Sequence, residues 1–191
     1  MTRVCYPGSF DPPTVAHLAI ARRAREVTDA RSVTWVVSRV ALEKEDVIVP
    51  SLTDRLAVLH EVADGHPWLH VEVTTAQLLA DLAAGYDAIV MGADKWHQIH
   101  DVAYYDDEPA RDAAIASLPR PLVVPRGDLH VPAHHRLDVD DTHRVSSTAA
   151  RAGRRDLMLD AARRHDDATG NWTGRDGTRR RTGSRSSDTD Q

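Results

Sequence analysis

Two short stretches, far apart in the chain, place hydroxyl, imidazole and guanidinium groups where helices should begin. In the first, Gly8-Ser9-Phe10-Asp11-Pro12-Pro13 separates an apolar run from a helical pattern opened by Thr14 and His17. Gly8 permits a tight turn and leaves room for a ligand to approach. Pro12 and Pro13 prevent an earlier helix start and set the direction of the helix that follows. A helix starting near Thr14 presents free N–H groups and the positive end of its dipole. His17 shares a face with Thr14, because residues three apart are neighbours. A hydroxyl, an imidazole and helix amides then converge on one anion, and a phosphate fits there. In the second stretch, Ser146-Ser147-Thr148 precedes a helical pattern and Arg151 follows about one turn in. Ser146 or Ser147 is a natural N-cap, and Arg151 offers a fork suited to phosphate oxygens.

Several elements must position these groups. Residues 2–6 read as a strand, 14–28 as a helix, and 32–38 (SVTWVVS) as a buried parallel strand. Residues 51–63 follow as a helix, 69–74 as a strand, and 76–84 as a helix ended by Gly85. Residues 88–91 form a strand running into Gly92-Ala93-Asp94; 110–117 are helical; 121–124 are a strand; 136–139 add an edge strand; and a last helix runs from Ser147 to Arg163. Strands and helices alternating at this spacing predict a parallel sheet with helices on both faces, a Rossmann-like α/β fold in one domain over residues 1–163. The segment 164–191 is rich in Gly, Ser, Thr, Arg and Asp and reads as a disordered polar tail, and deletion of 166–191 is expected to leave stability and core activity nearly unchanged.

Composition limits the alternatives. The 191 residues suit one domain, with 41% hydrophobic residues, 28% charged residues and a net charge of −5. That balance gives no reason to seek nucleic acid or a membrane as the main partner, although Arg179-Arg180-Arg181 could touch a polyanion. The one cysteine, Cys5, cannot form an internal disulfide and reads as a small buried residue. No run approaches the roughly 18–20 apolar residues of a membrane span, so the expected location is cytoplasmic. Of 24 basic residues, all but Lys44 and Lys95 are Arg, which marks those two as places where a compact, flexible charge is preferred. His97, His100 and Asp101 read as surface rather than metal ligands. Trp96 is divided between pocket wall and core, and Tyr104 and Tyr105 between packing and pocket.

Residues Gly8 to Leu18 resemble the first signature of a nucleotidyltransferase superfamily marked by a His-x-x-His or Thr-x-x-His pair. That family includes nicotinate and nicotinamide mononucleotide adenylyltransferases, phosphopantetheine adenylyltransferase and several cytidylyltransferases. Thr14 at the first place is similar to the phosphopantetheine branch, and Ala16 stands where Gly is usual. Val145 to Arg151 resembles the family's Ser-Ser-Thr-x-x-Arg motif, and Met91-Gly92-Ala93-Asp94 its Gly-Ala-Asp turn.

The resemblance implies AMP transfer from ATP to a phosphate-bearing acceptor, with pyrophosphate released and Mg²⁺ bridging phosphates. Nicotinate or nicotinamide mononucleotide is the favoured acceptor. Phosphopantetheine, another phosphorylated metabolite with CTP as donor, or a nucleotide-binding regulator without turnover are the alternatives. His17, Lys44 and Arg151 are the catalytic candidates. Gly8, Ser9, Phe10, Thr14, His17, Gly92, Asp94, Ser146, Ser147, Thr148 and Arg151 would bind the nucleotide, and Lys44, Arg55, Trp96 and Arg126 the acceptor. Small molecules are the expected partners, and self-association stays open.

Overall fold

Val33, Trp35, Val36 and Val37 are each at most 2% exposed, because their strand runs inside a sheet covered on both faces. The computed structural model describes residues 1–39, 50–76, 78–140 and 145–174. Strands β1 (Arg3–Pro7), β2 (Ser32–Ser38), β3 (Leu69–Thr74), β4 (Ala88–Gly92) and β5 (Arg120–Val124) pair in the order β3-β2-β1-β4-β5. Every pairing is parallel, with Val4 beside both Val33 and Ala88. The chain builds outward from β1 to β3, then returns to β4 on the other side of β1. That reversal opens a crevice at the carboxyl ends of β1 and β4, where open α/β sheets bind ligands. The expected Rossmann-like α/β architecture is present.

Alternate strand residues face two apolar layers. Val4, Tyr6, Val90, Leu122 and Val124 face the larger core, with Ile20 and Ala24 of α1 (Val15–Thr28), Leu59 and Val62 of α2 (Leu52–Asp64), and Ala161 and Ala162 of α7 (Asp160–Thr169). Ile89, Met91 and Val123 face the opposite layer. That layer includes Ala83, just past α3 (Leu79–Leu82), Ala93 and Trp96 of α4 (Ala93–Gln98), and Ile115 of α5 (Glu108–Ala116). Helix α6 (Ser147–Arg151) carries the second motif. Burial pushes the Cys5 thiol up to about 12, so it stays a protonated core residue, as its strand position suggests.

Four expectations change. The third helix is one short turn, Leu79–Leu82, within the described residues. The edge strand at 136–139 is only an isolated bridge between Val123 and Arg136. The last helix is broken: Gly153 adopts φ 109°, a conformation open to glycine but costly for other residues. A 3₁₀ turn at Arg155–Leu157 follows, and Met158 bridges back to Thr14. The domain does not end at residue 163. Helix α7 continues to Thr169, and Trp172, 5% exposed, joins the main core. One indole in a polar stretch supplies enough apolar surface to dock a turn that composition alone reads as solvated.

Candidate nucleotide site

His17 sits at the third position of α1, and its side chain caps the helix start. The Thr14 backbone N–H donates to His17 Nδ1 at 2.9 Å, and Thr14 Oγ1 lies 2.9 Å from the same nitrogen. An imidazole thus takes the place of the Glu or Gln of an ordinary capping box. Because Nδ1 accepts from an amide, it carries no proton, and the neutral ring keeps its proton on Nε2. Burial pushes His17 down to about 4, so at neutral pH it is an uncharged N–H donor with fixed orientation.

A cleft of about 270 Å³ opens beside this ring. Its walls include Tyr6, His17, Gly92, Arg126 and the three motif residues Ser146, Ser147 and Thr148. The two motifs, each read as an anion site at a helix start, therefore border one cleft. Ser146 caps α6, its Oγ accepting from Ala149 N at 3.1 Å, and Ser147 Oγ donates to the Pro12 carbonyl at 2.8 Å. That second bond ties the two motifs together.

Arg151 stands behind Thr148, donating to Thr148 Oγ1 at 3.4 Å, to the Asp11 carbonyl, and to Asp11 Oδ2 at 3.3 Å. Asp94 forms an exposed ion pair at 2.8 Å with Arg126, which lines the cleft. A Cβ on Gly92 would meet nothing within 4 Å, so the backbone there is open to a ligand.

Four residues expected to touch ligands are placed otherwise. Thr14 is fully buried and bonded to His17, so it orients the imidazole. Phe10 is 1% exposed, stacked on Trp35 at 4.8 Å and edge-on to His17 at 5.1 Å. It supports the His17 ring. Gly8 is small for this reason: a Cβ there would lie 2.9 Å from Phe10 Cζ. Arg55 is 1% exposed and holds the loop from beneath, donating to the Ser9 carbonyl at 3.2 Å and lying 3.9 Å from Asp11 Oδ1. Trp96 is 8% exposed in the opposite layer, against His100 and His135, so it is core. Ser9 is exposed beside the loop. Lys44 lies outside the described residues.

Asp11 and Trp172 escaped the sequence reading. The carboxylate of Asp11 receives Arg151 on Oδ2 and the Trp172 indole on Oδ1 at 2.7 Å. Asp11 was legible as part of the loop; its partners, about 140 and 160 residues away, were not.

A second pocket, about 320 Å³, lies in the opposite layer between α3, α4 and α5. Leu79, Ile99, Tyr104, Tyr105 and Ile115 line it, and Lys95 and Gln98 supply polar groups. Tyr104 is 59% exposed, which favours a wall over packing. Among the described residues no group of three or more His, Cys, Asp or Glu stands ready for a metal, and no helix is long and apolar enough to cross a membrane.

A family model described as cytidylyltransferase-like matches residues 5–153. The chain is 27% identical over 122 residues to a probable nicotinate-nucleotide adenylyltransferase of Salinibacter ruber, an alignment covering 54% of this chain and 63% of that protein. It is 35% identical over 94 residues to a phosphopantetheine adenylyltransferase of Chromobacterium violaceum, covering 48% and 54%. The chain thus spans little more than half the length of these relatives. The solved structure of Plasmodium falciparum nicotinic acid mononucleotide adenylyltransferase complexed with NaAD superimposes with a TM-score of 0.60 at 12% identity, over 91% of this chain and 98% of that one.

Proposed function

Because the chain belongs to the cytidylyltransferase-like family, we propose that it transfers AMP from ATP to a phosphate-bearing acceptor and releases pyrophosphate. The observation that carries this reading is the shared cleft, lined by the neutral His17 and by Ser146–Thr148. Such a cleft suits a polyphosphate.

An oxygen of the acceptor phosphate attacks the α-phosphorus of ATP. The bond from that phosphorus to the oxygen bridging to the β-phosphate breaks, and pyrophosphate leaves with the electron pair. The attacking oxygen is already anionic, so no general base is required. Catalysis rests on positioning and on stabilising charge as it develops. His17 donates to the α/β-phosphate region without bringing a charge, and fixed donors of this kind lose little energy to reorganisation. Ser146, Ser147, Thr148 and Arg151 hold the departing pyrophosphate. Lys44 would add a positive charge to the same oxygens and help hold the acceptor phosphate. Gly8, Gly92 and Asp94 shape the nucleotide site, with Arg126 lining it. The cleft's donors suit an anion, so Mg²⁺ would be held by phosphate oxygens and water, where it neutralises charge.

The likeness to probable nicotinate-nucleotide adenylyltransferases favours nicotinate or nicotinamide mononucleotide as the acceptor. Thr14 at the first motif position favours a second reading, phosphopantetheine. ATP and CTP, each tested against a panel of phosphorylated acceptors with pyrophosphate and product mass as readouts, decide among these. A dinucleotide from ATP and nicotinate mononucleotide is expected. Nucleotide binding without pyrophosphate from any pair would mark a regulator instead.

A further inference from the structure

We propose that the C-terminal turn at residues 166–174 is a positioning device for the anion site, acting through Trp172, Asp11 and Arg151; this rests on the nucleotide reading of the cleft. The turn is assembled around a buried carboxylate. Asp166 is 2% exposed and accepts from Trp172 N at 2.8 Å, Thr173 N at 3.0 Å and Thr173 Oγ1 at 2.5 Å. Arg155 Nε lies 3.2 Å from its Oδ2. These bonds fix the backbone at Trp172, and the indole edge packs on His165 at 5.3 Å. The indole N–H therefore has one direction available, and it meets Asp11 Oδ1 at 2.7 Å.

Asp11 lies in the middle of the first motif loop. With Oδ1 held by the indole, its other oxygen faces Arg151 at 3.3 Å, too long for a tight bidentate pair. Arg151 Nη1 is shared between this oxygen and the Asp11 main-chain carbonyl, which leaves Nη2 to reach Thr148 on the cleft wall. Without the indole, Oδ1 would keep only the long contact to Arg55 at 3.9 Å, and the carboxylate could turn both oxygens toward Arg151. Such a pair would draw Arg151 away from the cleft and compete with an incoming anion. The indole thus blocks an internal competitor and preserves the guanidinium for pyrophosphate. No bond in this chain of contacts touches the reacting atoms, so Trp172 and Asp11 are positioning residues.

The test is calorimetric titration of the full chain with inorganic pyrophosphate, comparing wild type, Trp172→Phe, Trp172→Tyr, Arg151→Ala and the double variants. Both substitutions at Trp172 keep a ring in the core and remove the indole donor. Each should weaken pyrophosphate binding about tenfold in the wild-type background, the scale of one hydrogen bond to a charged group. In the Arg151→Ala background each should change it less than twofold, because the residue it acts through is gone. Equal weakening in both backgrounds would show general loosening and overturn the proposal, as would unchanged affinity in the wild-type background. Wild type that binds pyrophosphate but turns over no donor would remove the transfer reading and leave this inference standing. Wild type that binds no pyrophosphate would overturn both.

Discussion

The Thr14 backbone N–H donates to Nδ1 of His17 at 2.9 Å, and this one bond sets both the tautomer and the aim of the imidazole. With burial holding the folded value near 4, the ring should stay neutral from pH 7 down to about 5. Nitrogen-15 NMR of labelled histidine should show an unprotonated Nδ1 and a protonated Nε2 across that range.

The sign of the stability effect follows. Between about 4 and the ordinary histidine value of roughly 6.5, the unfolded chain binds more protons at His17 than the folded one. This contribution is complete above the unfolded value and is lost as pH falls through the window. Denaturant unfolding should therefore show stability declining between pH 6.5 and 4, with a shallower decline in His17→Gln. An equal slope in the variant would assign the decline to other groups.

Glutamine at position 17 separates capping from catalysis. It is an ordinary capping-box residue at this helix position, so His17→Gln should melt closer to wild type than His17→Ala does. The alanine variant loses about 1 kcal/mol with the cap. Thermal melts of the two variants check the ordering.

Gly8→Ala should act on the site through the core. The added Cβ would stand 2.9 Å from Phe10 Cζ, and overpacking of this kind costs about 1–3 kcal/mol. Phe10 supports His17 at 5.1 Å, so displacing it should also weaken nucleotide binding. Unchanged melting and unchanged binding would show that the ring has room to move.

Two truncations divide the C-terminal segment. Deleting 166–191 removes Asp166 and Trp172, and losing a buried Trp side chain alone costs about 3–5 kcal/mol. The melting temperature should fall by on the order of 10 °C. Deleting 175–191, which contains no apolar residue, should leave it within a degree or two.

The periodic elements were readable in the sequence because local patterns determine them. SVTWVVS could be little other than an interior strand, and the Pro12-Pro13-Thr14 sequence fixed where α1 starts. The helix-start chemistry of each motif was readable for a similar reason, while their meeting in one cleft was implied only by the family resemblance. Burial of the supporting residues was not. Nothing local separates an Arg that meets substrate from Arg55, which lies beneath the loop, or a pocket Trp from Trp96 in the core. The break after α6 turns on Gly153 at φ 109°, and the docked C-terminal turn on one long-range bond, Trp172 to Asp11. Such contacts belong to the tertiary arrangement and leave no periodic trace.

The central claim is that His17 serves the transfer of AMP from ATP, and pyrophosphate release tests it most directly. The full chain is incubated with ATP, Mg²⁺ and nicotinate mononucleotide, alongside His17→Ala of matched circular dichroism. Wild type should release pyrophosphate in step with dinucleotide formation, and the variant should be slower by ~10²–10³, the typical worth of a fixed donor to transition-state charge. Equal rates in the two proteins would contradict the account.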